Sequence, residues 1–149
     1  MSVVVRVVTT IDAAELAPRL REEDKRELEL ASGMSVEDAL RASVDASDEV
    51  WIGEEDGKVI AVGGVRFIHG FGIPWLVATP EALKYPKKLV QVGRETTSRW
   101  VQNCTCLCNA AWSGNPRHIE WLKRIGFTFG MPLPDKPQFL PFVMEKPNV

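Results

Sequence analysis

Tyrosine, histidine and cysteine are scarce in this sequence: there are 1, 2 and 3 of them among 149 residues. A structural metal site needs about four suitably placed ligands. The cysteines stand together as Cys104-Thr-Cys106-Leu-Cys108, and neither His69 nor His118 has finger-like spacing to them. No metal is expected. An odd cysteine count behind a leaderless N-terminus speaks against a disulfide framework and for a reduced chain in the cytoplasm. On a strand the three thiols share one face, and buried structural cysteine is the simplest reading.

Charge of one sign is missing too. The chain has 18 basic and 20 acidic residues, for a net charge of −2. A general nucleic-acid binder is usually basic. No apolar run approaches the ~20 residues of a membrane span. Met1 to Thr10 alternates into strand-like sequence without a cleavable leader pattern. Neither nucleic acid nor membrane is an expected partner. Hydrophobic residues at 45% and charged residues at 26% are ordinary for a globular chain. The length fits the usual prior of roughly 100–200 residues per domain, so residues 1–149 are expected to form one domain.

Val3 to Val8 reads as a β-branched strand. Asp12 then starts a helix, with Glu15 at its third position in a capping-box arrangement. Leu16 and Leu20 give it an apolar face. Arg21 to Glu29 continues as a second helix that stops at Gly33. Ser35 and Asp38 repeat the capping pattern before a short amphipathic helix with Val36, Ala39, Leu40 and Ser43.

The period then changes. Val50 to Gly53 and Lys58 to Ile68 read as strands joined through Asp56-Gly57, a strong hairpin signal. Gly63-Gly64 predicts a bulge or a close backbone approach. After a Gly70-Phe-Gly72 loop, Ile73 to Ala78 reads as a third strand of this group. Pro86 opens a longer helix to about Asn103, with Leu89, Val92, Thr96 and Trp100 as its buried stripe. Gly93 sits inside it at about 1 kcal/mol against Ala, which a close packing contact would explain. Thr105 to Ala111 is the next strand. Asn115 caps a helix that has Pro116 first and Gly126 at its end, with Ile119, Leu122 and Ile125 inward. Phe127 to Phe129 and Phe139 to Met144 are the last strands. The order predicts an α/β (α+β) fold with a mixed, mostly antiparallel central sheet flanked by helices.

This order resembles the GNAT acyltransferase fold. The hairpin and strand from Trp51 to Ala78 stand where that family has its central antiparallel strands. Asn115-Pro-Arg-His-Ile-Glu-Trp-Leu-Lys-Arg-Ile-Gly126-Phe127 resembles its late helix, which runs from an asparagine to Gly-Phe. A narrower resemblance is carried by Leu20-Arg-Glu-Glu-Asp24, Ala31-Ser-Gly33, Asp56-Gly57, Pro74-Trp75-Leu76 and Trp121 to Phe127. Together these are similar to the small acetyltransferase-like proteins of tailed phages, a group that includes the internal virion protein of short-tailed phages. That resemblance implies a phage or prophage origin, in the host cytoplasm or the virion. Two functions follow from it. One is N-acetyltransferase-type transfer from acetyl-CoA to an amine. The other is a catalytically weak or inactive protein of the same fold, acting as a virion component or binding a host or phage protein.

The resemblance also implies positions for the cofactor. The family holds the pyrophosphate on a turn of the form Arg/Gln-x-x-Gly-x-Gly/Ala before a helix N-terminus, where backbone amides and the helix dipole favour anions. The equivalent stretch, Thr79 to Lys88, has no glycine, and none lies between Gly72 and Gly93. Lys84, Lys87 and Lys88 supply charge, and the amides of Lys87, Lys88 and Leu89 lie at the helix start. The same lysines also fit an ordinary solvated face. Backbone groups of Leu76, Val77 and Ala78, and of Asn109 to Ala111, are implied to bond the pantetheine arm. Asn115 matches the family's cofactor-contacting asparagine and equally suits a plain N-cap.

Amine acylation needs a base for the amine and an acid for the leaving thiolate. The family often takes the acid from a tyrosine on the late helix, where this sequence has Leu122. The weak catalytic candidates are Glu81, His118 and Tyr85. Glu81 also reads as a solvated helix-start charge. His118 has a suitable intrinsic pKa but stands where exposure is expected. Tyr85 is the only tyrosine and lies on the pyrophosphate side. Cys108 has no evident activating base. Of the five tryptophans, most are expected in the core; Trp112, beside Asn115, suits packing or stacking on a ligand or partner.

Overall fold

The computed structural model describes residues 2–147. Its described residues form seven strands and five α-helices. They are β1 Val4–Val8, α1 Ala13–Leu16, α2 Glu22–Ser32, α3 Val36–Ala46, β2 Glu49–Glu55, β3 Lys58–Ile68 and β4 Phe71–Ala78. After these come α4 Pro86–Trp100, β5 Cys106–Trp112, α5 Pro116–Ile125, β6 Thr128–Phe129 and β7 Phe139–Glu145. Short 3₁₀ turns occupy Ala17–Arg19, Pro80–Lys84 and Val101–Asn103. The strands follow the order β1-β2-β3-β4-β5-β7-β6. The β1–β2, β2–β3, β5–β7 and β6–β7 ladders are antiparallel. The β4–β5 ladder is parallel and joins Phe71 to Cys106 and Gly72 to Leu107. The mixed, mostly antiparallel sheet with flanking helices is therefore as the sequence pattern predicts.

The chain divides into two compact units. The first holds residues up to Arg66 together with Trp75–Pro86. Its helices start and stop as the capping residues dictate. The Asp12 carboxylate accepts from the Glu15 N–H at 3.1 Å, and the Ser35 hydroxyl from the Asp38 N–H at 3.2 Å. Gly33 ends α2 in the left-handed region at φ 71°. Asp56 and Gly57, both at positive φ, make the two-residue turn from β2 to β3. The core gathers Leu16, Leu20, Leu40, Val44, Val50, Ile52, Val62 and Val77. Each such aliphatic side chain contributes about 1.5–3 kcal/mol by leaving water.

Gly63 and Gly64 do not form a bulge; the register shift in this hairpin lies at Gly53/Glu54. They are close-approach glycines. A Cβ at Gly63 would stand 2.5 Å from the Trp51 ring, and one at Gly64 would stand 2.8 Å from Trp75 Nε1. The missing side chains leave room for two indoles.

The second unit holds Phe67–Pro74 and the chain from Lys87 onward. Helix α4 buries Leu89, Val90, Val92, Gly93, Thr97 and Trp100. Thr97, not Thr96, completes the stripe, because it stands one full turn after Gly93 and donates to the Gly93 carbonyl at 2.8 Å. Helix α5 buries His118, Trp121, Leu122 and Ile125, and Ile119 is only half-buried. The large Trp121 ring sets the helix phase and turns Ile119 to the flank. Cys106 and Cys108 lie on β5 and Cys104 just before it; all three are half-buried free thiols, less enclosed than expected.

Candidate functional site

In the first unit the candidate residues follow one another from the end of β4 through the turn at Pro80–Lys84. Val77 and Ala78 are buried. Thr79 sends its N–H to the Ile60 carbonyl of β3 at 2.8 Å. Ala78 bonds differently. Its N–H donates to Asp24 Oδ2 at 2.9 Å, and its carbonyl accepts the Arg21 N–H at 2.9 Å. Arg21 Nη1 donates to Asp24 Oδ1 at 3.1 Å, and the two side chains are 5% and 2% exposed. The backbone groups expected to be open at Ala78 are thus already bonded within this unit. Asp24 stands in the run Leu20-Arg-Glu-Glu-Asp24, where helical phase alone marks it as one charge among several.

Glu81 and Lys84 are exposed on the following turn. The Thr79 hydroxyl, by hydrogen bonding, and the backbone hold the Glu81 carboxyl below its ordinary range. A carboxylate so stabilised is a poor base. Tyr85 is half-buried, and its hydroxyl donates to Glu55 Oε2. That bond, with some burial and the charges of Glu55 and Asp56, raises the phenol above its ordinary value. Tyr85 therefore keeps its proton at neutral pH. Glu55 was hidden in the acidic run before the Asp56-Gly57 turn, yet it is buried at the end of β2. Its alternation with Gly53 along the strand is the one signal that points inward.

In the second unit, Lys87, Lys88 and Leu89 form the first turn of α4; Lys87 is exposed, Lys88 half-buried and Leu89 buried. Asn115 occupies the N-cap position of α5 but makes no side-chain capping bond. Its side chain is 0% exposed. The plain-cap reading of that side chain is therefore wrong. The backbone does the local work: the Asn115 N–H donates to the Trp112 carbonyl at 3.0 Å, and its carbonyl accepts from Ile119 N–H at 3.2 Å. His118 is buried rather than exposed, at 6%, because it falls on the same helical face as Trp121 and Leu122. Leu122 is buried as well. Trp112 is half-buried, and its ring lies over Gly114.

Asn109 uses its amide twice. Nδ2 donates to the Pro74 carbonyl at 2.8 Å, and Oδ1 accepts the Ala110 N–H at 2.8 Å. A second backbone group assigned to the pantetheine arm is thereby internally bonded. Burial raises the Cys104 and Cys108 thiols, so neither is an activated nucleophile. Among the described residues, no group of three or more His, Cys, Asp or Glu is placed to hold a metal ion. No helix among them is long and apolar enough to cross a membrane.

No protein-family model matches this sequence, and no curated protein matches it. Solved structures do resemble it. The aminoglycoside acetyltransferase AAC(6')-Ib in complex with coenzyme A aligns with a TM-score of 0.67 and 17% identity, over 97% of this chain and 95% of that one. A ribosomal-protein-alanine N-acetyltransferase from Brucella melitensis aligns at 0.65 and 13% identity, over 96% and 99%. A GNAT-family acetyltransferase from Streptococcus pneumoniae aligns at 0.63 and 11% identity, over 97% and 100%. At these identities the likeness is one of fold, and the fold is that of GNAT acetyltransferases.

Proposed function

We propose that this chain is a GNAT-type protein that takes acetyl-CoA or a related acyl-CoA and passes the acyl group to an amine. The observation that carries this reading is the near full-length likeness to acetyltransferases, one of them in complex with coenzyme A. Acyl-CoA supplies an acyl group activated as a thioester.

The chain's own residues suit the charged end of that molecule. Lys87 and Lys88 and the amides of the first turn of α4, which a helix leaves without intrahelical partners, match anionic phosphate. They suit the arm less well. Val77 stays a backbone candidate, whereas Ala78 and the Ala110 N–H are bonded internally. Asn115, fully buried, enters this reading by shaping the turn before α5. Of the catalytic candidates, Tyr85 carries a proton at neutral pH, but its bond to Glu55 holds that proton and makes it a weaker acid than a free phenol. Release of free thiol from acetyl-CoA in the presence of amines, with calorimetric binding, tests the reading. The absence of both binding heat and a thermal shift at millimolar acetyl-CoA overturns it.

The occupied backbone at Ala78 is compatible with a second reading. In it the chain is a phage or prophage protein of this fold with little or no catalysis, serving as a virion component or binding a host or phage protein. The narrower resemblance to the acetyltransferase-like phage proteins supports that origin. Mass spectrometry of purified virions tests the virion role, and absence of the chain from them removes it.

A further inference from the structure

We infer that Arg21 and Asp24 form a strap on the edge of β4 turned away from β3, and that this strap must leave Ala78 before the arm of an acyl-CoA can pair there. The inference rests on the acyl-CoA reading above.

Along a strand, the N–H and C=O of one residue point to the same side and those of the next residue to the other. Thr79 bonds Ile60 on β3, so the polar groups of Ala78 point to the opposite edge. The start of α2 meets them there. The Arg21 N–H supplies the donor and the Asp24 carboxylate the acceptor, each at 2.9 Å. One residue of β4 is satisfied as a neighbouring strand would satisfy it, by a side chain and a helix start. The carboxylate bond is charge-assisted, and Arg21 balances its charge at 3.1 Å. Removing Asp24 from Ala78 uncovers a buried ion pair, which holds the strap closed. A ligand that needs the open state binds with an apparent affinity reduced by the open fraction. Arg21 and Asp24 are thus positioning residues that act through Ala78.

The test uses the full chain, acetyl-CoA as probe, calorimetry for affinity and the ¹⁵N amide signal of Ala78 for the strap. Asp24→Ala is expected to bind acetyl-CoA at least tenfold more tightly than the unmodified protein, with the Ala78 amide shifting on saturation. Asp24→Asn keeps a carbonyl for Ala78 and loses the charge, so it is expected to bind several-fold more tightly. A gain in affinity is an outcome that mere damage to the fold does not produce. If Asp24→Ala fails to fold, Asp24→Asn carries the test, and equal or weaker binding by it overturns the strap. Equal binding by all three forms overturns the strap and leaves the acyl-CoA reading standing. Binding by none of them overturns both.

Discussion

Gly93 of α4 lies so close to Ile125 of α5 that a Cβ on residue 93 would stand 2.4 Å from Ile125 Cδ1 and 2.6 Å from its Cγ1. The glycine is what allows this contact. Gly→Ala inside a helix gains about 1 kcal/mol of propensity, while overpacking a core contact costs about 1–3 kcal/mol. The second term is expected to win, so Gly93→Ala destabilises by about 1 kcal/mol in denaturant unfolding. Adding Ile125→Val removes the clashing methyl and should recover part of that loss. A double variant no better than the sum of the two singles contradicts the contact.

The β3 glycines give a larger effect. A Cβ at Gly64 would meet the Glu49 carbonyl at 2.9 Å as well as the Trp75 indole. That indole is held by a 2.8 Å bond from Nε1 to Ser47 Oγ. Neither neighbour is the loose end of a flexible chain. Gly64→Ala is expected to cost about 2–3 kcal/mol, at the upper end of overpacking. A midpoint within error of the parent shows that β3 is freer than its packing indicates.

Tyr85 is the only tyrosine, so phenolate absorbance reports it alone. Its pKa is raised first by the bond to Glu55, and the titration midpoint is expected above the ordinary 10.0. The sign follows from linkage: stability from this bond is full below the unfolded pKa and is lost as pH rises through the folded one. Glu55→Gln is expected to bring the midpoint down. An unmoved midpoint would show that the phenol does not rely on this carboxylate.

Asn109 both donates and accepts, so two substitutions separate its roles. Asn109→Ala strands the Pro74 carbonyl and the Ala110 N–H, at about 1–3 kcal/mol for lost satisfaction of partly buried groups. Asn109→Asp keeps the acceptor but sets a carboxylate against the Pro74 carbonyl. That variant is expected to gain stability relative to the parent as pH falls through the carboxyl range near 4. A pH-independent difference argues against the Pro74 bond.

Much of the fold was legible because its signals are local. Asp12, Ser35, Gly33 and Gly126 mark helix ends by chemistry that acts within one turn. Asp56-Gly57 fixed its hairpin in the same way. The site was less legible because its decisive contacts join distant residues. Asp24 meets Ala78 across 54 positions, and Tyr85 meets Glu55 across 30. Both acids sit in runs of charge that suit a solvated face. The burial of His118 was missed for a related reason, since Trp121 settles the phase of α5 and no single-residue preference reveals it.

The paired glycines of β3 have one more consequence. Trp51 stands opposite Gly63 in the ladder, and Val50 opposite Gly64. Alternating sequence guards a strand against slipping by one residue, because every side chain then changes face. It gives no protection against a slip of two, which restores the faces. Such a slip would set Ala61 or Val65 opposite Trp51, with a side chain where the indole now rests. The glycine is a notch that one position alone fits, so β2 and β3 can close like a keyed joint.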